Sequence, residues 1–402
     1  MSSNKMKFAL QLKYTILIFL VLAGTVVYGS VRFALYSNEK RVFVFGPQES
    51  IIVQHPFDSD IYFNNTVGQT GSLDILKKQI DSAQHTLELA IFSFSSDELK
   101  QAIYAADKRG VKVTLVLNTS KAKQHDYVFS DLPTTIQRID AGKYDAIDSL
   151  KKVYMHDKFM IVDRGYSTEQ LTTGSFNFTT WGEKYNQSYF LVTHDHDLVT
   201  VYGKEFDLLK QKISGTKKLA VTTYNPWATT IQYTDSFIEV WFSPGFGKQA
   251  VKYRIIDIIG KSEKTLDLMM WDITDRQVAS AVVKRVQAGV KVRIIAEVAT
   301  ASTEASMIPY LQEQKEKLGL NNLEIILDTK LPAQSIDVLP DDFAPYIHHH
   351  SLIADGKVLV FGSQNWSLWG FYNNDENAFV TDNSYLISEF QKTFDHFYTI
   401  LK

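Results

Sequence analysis

Two short stretches of the chain carry side chains able to work on an anionic substrate. The first holds His156, Lys158 and Asp163, followed by Gly174-Ser175-Phe176-Asn177. The second holds His348, His350 and Asp355, followed by Gly362-Ser363-Gln364-Asn365. In an extended segment residues two apart face the same side, so His156 and Lys158 point together. A neutral imidazole attacks or takes a proton while an ammonium beside it holds negative charge. Glycine before serine allows close backbone approach, and asparagine adds an amide donor. Two such sets facing each other supply one imidazole on each side of a phosphorus atom, which in-line displacement requires.

The elements that must position these residues are written twice. HTLELAIFSF at 85–94 leads through a helix to RGVKVTLVLN ending at Asn118, and KTLDLMMWDI at 264–273 leads through a helix to AGVKVRIIAE ending at Glu297. Thr86 matches Thr265, Gly110 matches Gly289 and Phe63 matches Phe242, all at one offset, so the chain contains an internal duplication. Leu73, Leu76, Ile80 and Ala83 have helical spacing, whereas Leu87, Leu89 and Ile91 alternate as in a strand. Ser95 with Glu98 predicts a capping box, and Gly110 and Gly289 predict helix stops. Strand, helix, strand implies parallel crossovers and an α/β sheet. The tract Ser214 to Tyr233, with Pro226 inside it, is the expected boundary between halves. Thr300 to Pro345 is expected to form loops over the second site region.

HxKxxxxD followed by GSxN, complete in one copy and repeated with His350 in place of lysine, resembles the phospholipase D superfamily over about residues 60–400. The resemblance implies two duplicated α/β sandwich halves with mixed sheets, pseudo-twofold related, sharing one active site without metal or cofactor. It implies that one histidine attacks phosphorus to form a phosphohistidine, while the other protonates the leaving alcohol and then activates water or an acceptor alcohol. On that basis His156 is the expected nucleophile and His348 the acid/base. Lys158, Asn177 and Asn365 grip phosphoryl oxygens, with His350 as a weaker substitute at the second lysine position. Ser175 and Ser363 lie behind them, and Asp163 and Asp355 are structural. Glu376 stands where the family has an acid for an imidazole Nδ1; its first-copy counterpart is Ser188. The first half is thus expected to keep the lysine but lack the acid, and the second to keep the acid but lack the lysine. A phosphate beside His350 would favour its charged form, so the activity is expected to depend on pH.

The chain has 402 residues, 42 basic against 45 acidic, and a formal charge of −3. That balance favours a lipid headgroup substrate over a nucleic acid, which wants a basic groove, although a nuclease of the same mechanism is the alternative. A catalytically impaired interaction protein is a third reading, carried by His350 and Ser188. No cysteine is present, which excludes disulfides, thiolate metal sites and a cysteine nucleophile. The uncharged run from Tyr14 to Val31, preceded by three lysines, is about 27 Å long as a helix and reads as an uncleaved signal-anchor. The expected organisation is 1–40 tail and single transmembrane helix, 41–220 first half and 221–402 second half. The catalytic part then lies on the extracytoplasmic side at a phospholipid membrane, and a monomer suffices for one site. Asn177-Phe178-Thr179 and Asn365-Trp366-Ser367 are glycosylation sequons at the site, which points to a bacterial host. The imidazoles of 348–350 lack a third ligand at helpful spacing, so no metal is expected. His125, His194 and His196 read as surface or loop residues, Trp181 and Trp369 as packing beneath the site, and Lys210 to Lys218 as a solvated basic face.

Overall fold

The computed structural model describes residues 49–64, 71–142, 153–221, 228–244, 250–329 and 346–402. Its first sheet contains β1 (Asp60–Phe63), β2 (Thr86–Ile91), β3 (Lys112–Asn118), β4 (Gln137–Ala141), β5 (Lys158–Val162), β6 (Gln170–Gly174) and β7 (Tyr189–Thr193). These lie in the order β1-β7-β6-β5-β2-β3-β4. The second sheet contains β8 (Phe237–Ser243), β9 (Thr265–Met270), β10 (Lys291–Ala296), β11 (Leu323–Leu327), β12 (His350–Ala354), β13 (Val358–Gly362) and β14 (Glu376–Thr381). Their order, β8-β14-β13-β12-β9-β10-β11, repeats that of the first sheet strand for strand. β2 is parallel to β3 and antiparallel to β5, and β9 stands in the same senses to β10 and β12. Both sheets are therefore mixed, as parallel crossovers followed by hairpin connections require. Two more strands, Glu49–Ile52 and Thr229–Gln232, widen the second sheet to nine. Glu49–Ile52, inside the stretch read as the first half, pairs in parallel with Thr229–Gln232 and so belongs to the second sheet.

Helices α1 (Ser72–Ser82), α2 (Asp97–Lys108) and α3 (His196–Lys210) serve the first sheet; α4 (Ala250–Lys261), α5 (Arg276–Gln287) and α6 (Ser384–Leu401) are their counterparts in the chain order of the second copy. α1 buries Leu73, Leu76 and Ile80, the stripe that its sequence period predicts. α2 starts one residue later than the expected capping box: Ser96, not Ser95, accepts a hydrogen bond from the Leu99 N–H at 3.2 Å. Gly110 and Gly289 follow α2 and α5 with φ of 91° and 93°, a region that a side chain would disfavour.

One apolar cluster draws on both copies. Phe159, Tyr189 and Tyr202 pack in it with Phe361, Phe379 and Phe390. Burying each large apolar side chain stabilises the fold by about 1.5–3 kcal/mol, so the contact between copies is part of the core. Residues 49–402 accordingly form one compact unit. Among the described residues no helix is long and apolar enough to cross a membrane; the run 14–31 and the prolines of 330–345 lie outside them.

Candidate active site

Each motif histidine is held in place by the opposite copy. Just before β5, Met155 bridges Asp375, and the His156 N–H donates to the Asp375 carbonyl at 2.9 Å. Just before β12, Tyr346–Ile347 pairs with Asn186–Gln187, and the His348 N–H donates to the Gln187 carbonyl at 2.9 Å. This reciprocal pairing turns both imidazoles into one cavity of about 780 Å³, which Asn177 and Asn365 also line. The amide oxygens of both asparagines are buried and have no hydrogen-bond partner among the described residues.

The structure redistributes the supporting groups that the sequence suggested. Glu376 Oε2 lies 2.7 Å from Nδ1 of His156, across the interface between copies, rather than beside His348. The expectation that the first histidine lacks an acid is therefore corrected. Ser363 donates to the same carboxylate oxygen at 3.0 Å, and the Asn374 amide donates to the other at 3.2 Å. Three donors on one carboxylate fit its ionised form. Lys158 Nζ lies 3.2 Å from both ring nitrogens of His156 and donates to the His156 carbonyl at 2.7 Å. His156 thus has both an acid and a lysine. His348 has neither in contact: its Nδ1 faces Ser188 Oγ at 3.4 Å, and its ring lies 5.3 Å from that of His350.

Burial dominates the electrostatics. It holds His156, His348 and His350 well below the ordinary imidazole range, with the Lys158 ammonium adding to the effect on each. In this structure His350 is therefore neutral, not cationic, and both its ring nitrogens are buried without a hydrogen-bond partner among the described residues. Burial pushes Glu376 up to about 8 and Lys158 down to about 8, so each charge depends on the other as its partner. A neutral His156 with Nδ1–H directed at a carboxylate leaves Nε2 as a lone-pair donor, the state that a nucleophile needs.

Asp163 and Asp355 lie at the far ends of β5 and β12. Asp163 accepts the N–H groups of Gln84, His85 and Thr86, and Asp355 those of Glu263, Lys264 and Thr265. Burial acts to raise both carboxyls, but these donors outweigh it and hold them below the usual carboxylate range. Ser175 Oγ accepts the Tyr189 N–H at 3.2 Å, as Ser363 Oγ accepts that of Asn377 at 3.0 Å. The serines thus join each GSxN turn to the next strand. The hydroxyls completing the two sequons are helix caps, Thr179 accepting from the Gly182 N–H and Ser367 from the Gly370 N–H.

Three expectations fail for physical reasons. Trp181 and Trp369 line the cavity, and Trp369 is 37% exposed, so they are not packing beneath it. Lys218 is wholly buried rather than solvated; it pairs with Glu205 and, at 2.7 Å, with Asp375. It thereby holds the segment that carries Glu376 and docks the His156 backbone. His125 is buried as well, and burial lowers its ring to about 4. Sequence gave no sign of these, because their partners come from segments distant in the chain. Two groups escaped notice that comparing the copies would have found: Asp157, buried and bonded to Asn377 at 2.8 Å, and Asp272 in the cavity wall, where the first copy has Ser93.

The duplicated sheets and paired motifs define one class of duplicated α/β fold, and the comparisons show its family. A family model described as cardiolipin synthase, PLD-like domain, matches residues 76–210 and again 255–398. The chain belongs to the phospholipase D superfamily. A mitochondrial cardiolipin hydrolase of Chlamydomonas reinhardtii is 30% identical over 149 residues, which is 37% of this chain and 58% of that protein. A phospholipase D of Rickettsia felis is 30% identical over 132 residues, 33% of this chain and 60% of that one. The matches thus span less than two thirds of either relative. The solved phosphatidylserine synthase of Haemophilus influenzae has the same fold at a TM-score of 0.60 and 10% identity, over 85% of this chain and 86% of that structure.

Proposed function

We propose that the chain is a membrane-associated phosphodiesterase of the phospholipase D type, acting on phospholipid headgroups. The observation that carries this reading is the shared cavity, with His156 set between the Glu376 carboxylate and the Lys158 ammonium and His348 on the same wall system. His156 Nε2 attacks phosphorus and forms the N–P bond while Glu376 stabilises the developing imidazolium through Nδ1–H. The P–O bond to the alcohol breaks, and His348 gives that oxygen its proton. His348 then takes a proton from water, which attacks phosphorus and releases His156. Lys158, Asn177, Asn365 and His350 hold the phosphoryl oxygens. An arriving phosphodiester brings negative charge beside His348 and raises its proton affinity, offsetting the burial that keeps it neutral.

The names of the relatives and the apolar run 14–31 support a lipid substrate and a membrane location. The test is turnover of phosphatidylcholine, cardiolipin and single-stranded DNA by the purified full chain and by His156→Ala, with alkaline denaturing quench to trap the intermediate, whose N–P bond is acid-labile. Lipid turnover lost in His156→Ala, with label on His156, is the expected result. Label on His348 reverses the two roles, and wild-type inactivity on all three substrates overturns the reading in favour of a binding protein.

A further inference from the structure

Behind His156, away from the cavity, lies a buried group of charges that the phosphodiester chemistry does not use. Lys218 sits in the turn Gly215–Ala220, on the tract between the copies, and is wholly buried. Its Nζ pairs with Glu205 of α3 and, at 2.7 Å, with Asp375 just before β14. Asp375 also accepts the Ser214 hydroxyl at 2.5 Å and the Gly215 N–H at 2.6 Å. Asp157 belongs to the same group. Its Oδ1 accepts the Asn377 amide, while its Oδ2 is buried with no hydrogen-bond partner among the described residues.

Three buried carboxyls thus share the Lys218 ammonium. Lys158 and Glu376 face the group from the cavity side and offset each other, and burial keeps the Tyr202 hydroxyl, which faces Asp157 and Glu205, neutral. Asp375 has three donors, the arrangement that suits an ionised carboxylate. Charge balance away from water then leaves protons on the other two carboxyls. Burial pushes Asp157 up to about 7 and Glu205 up to about 8, with Lys218 opposing it in each.

The matching positions of the second copy carry no charge. Asp157 and Asp375 correspond to His349 and Gln187, and the buried, neutral His349 ring lies among those of Phe63, Tyr189 and Phe390. Aromatic packing therefore serves behind one motif. Buried ion pairs, which stabilise a core no better than apolar side chains of similar volume, serve behind the other. They stand where His156 is docked. The Asp375 carbonyl accepts the His156 N–H at 2.9 Å, the Asp375 N–H donates to the Tyr154 carbonyl at 2.8 Å, and the next residue is Glu376.

We infer that Lys218 is a positioning residue for the His156–Glu376 pair, and that the clasp it forms with Asp375, Glu205 and Asp157 holds the pair only while two of those carboxyls keep their protons. The inference rests on the phosphodiesterase reading for the chemistry that the pair performs. A lost proton leaves unpaired negative charge at the seam between the copies, in the segment that aims His156. The ordinary values of Glu205 and Asp157 are 4.5 and 3.8, so the folded chain keeps protons that the unfolded chain has released. The clasp's contribution to stability therefore falls as the pH rises from about 5 to about 8.

Lys218→Met and Glu205→Gln test this in the full chain. Lys218→Met keeps the stem and removes the charge. At about pH 7 it should lower kcat for bis(p-nitrophenyl) phosphate at least about tenfold with KM within about twofold, and should shift or abolish the downfield proton resonance of the His156 Nδ1–H. Asp375→Asn, which keeps the docking carbonyl, should do the same and serves if Lys218→Met does not fold. Glu205→Gln copies the protonated acid. It should hold kcat within about twofold, and between about pH 5 and 9 its Tm should fall at least about 3 °C less than that of the wild type. A folded Lys218→Met or Asp375→Asn protein with wild-type kcat and resonance overturns the positioning role, and equal Tm profiles overturn the proton linkage. A wild type that hydrolyses nothing counts against the phosphodiesterase reading, and the resonance and the Tm profiles then decide the clasp by themselves.

Discussion

Replacing Glu376 by glutamine tests the wiring between the copies. The substitution keeps the shape and the acceptor oxygen but removes the charge that lies 2.7 Å from His156 Nδ1. A hydrogen bond to a charged group contributes about 1.5–3 kcal/mol, and the bond here is wholly buried, where water does not weaken it. If that charge acts as the imidazolium forms, Glu376→Gln should lower kcat/KM about 10- to 150-fold, at roughly tenfold per 1.4 kcal/mol. The drop should grow as the pH rises through about 8 and be smaller at lower pH, because Glu376, raised to about 8, is then increasingly protonated in the wild type as well. Ser188→Ala is the matched control. Its 3.4 Å neutral contact with His348 is long and weak, so its loss should cost less than about threefold. The assay is initial-rate hydrolysis of a chromogenic phosphodiester and of vesicle phosphatidylcholine, with thermal unfolding to confirm folded protein. A Ser188→Ala defect equal to or larger than that of Glu376→Gln would refute the assignment of the acid to His156.

The pH profile follows from two opposed titrations: attack needs Glu376 ionised and Lys158 protonated, and burial brings both to about 8. kcat/KM should therefore rise towards pH 8 and fall beyond it, and a profile flat from about pH 6 to 9 would contradict this. His350→Lys should lower KM about tenfold by placing a charge where burial keeps the imidazole neutral; an unchanged or higher KM counts against a phosphate-holding role. Gly362 has φ of 144°, and a Cβ there would run into the Asn377 carbonyl, so Gly362→Ala should lose at least about 1–3 kcal/mol and several degrees of Tm. Gly260→Ala, inside α4 with open space around its Cβ position, should hold or raise Tm; equal losses in the two variants would sink the steric argument.

The fold was legible from repeated local signals. Thr86 and Thr265 open β2 and β9, and Gly110 and Gly289 take the same positive φ, so an offset between copies read along the chain became strand-for-strand correspondence in space. The residues of the cavity were legible as well, since His156, His348, Asn177 and Asn365 sit in motifs. Their pairings were not. Glu376 follows His348 in the chain, and adjacency in sequence suggests adjacency in space; the docking of Tyr154–Met155 on Asn374–Asp375 instead carries the carboxylate to the other histidine. Lys218 illustrates the same limit, because a lysine in a basic run looks solvated until its partners, Glu205 and Asp375, arrive from elsewhere.

The strand Glu49–Ile52 has a practical consequence. It is the earliest described segment, yet its register partner is Thr229–Gln232, so that pairing waits until well over half the polypeptide has been synthesised. A shortened chain intended for crystallisation should begin at or before Glu49. Cutting nearer to β1 would leave Thr229–Gln232 as a bare sheet margin, open to pairing with a neighbouring molecule and to precipitation.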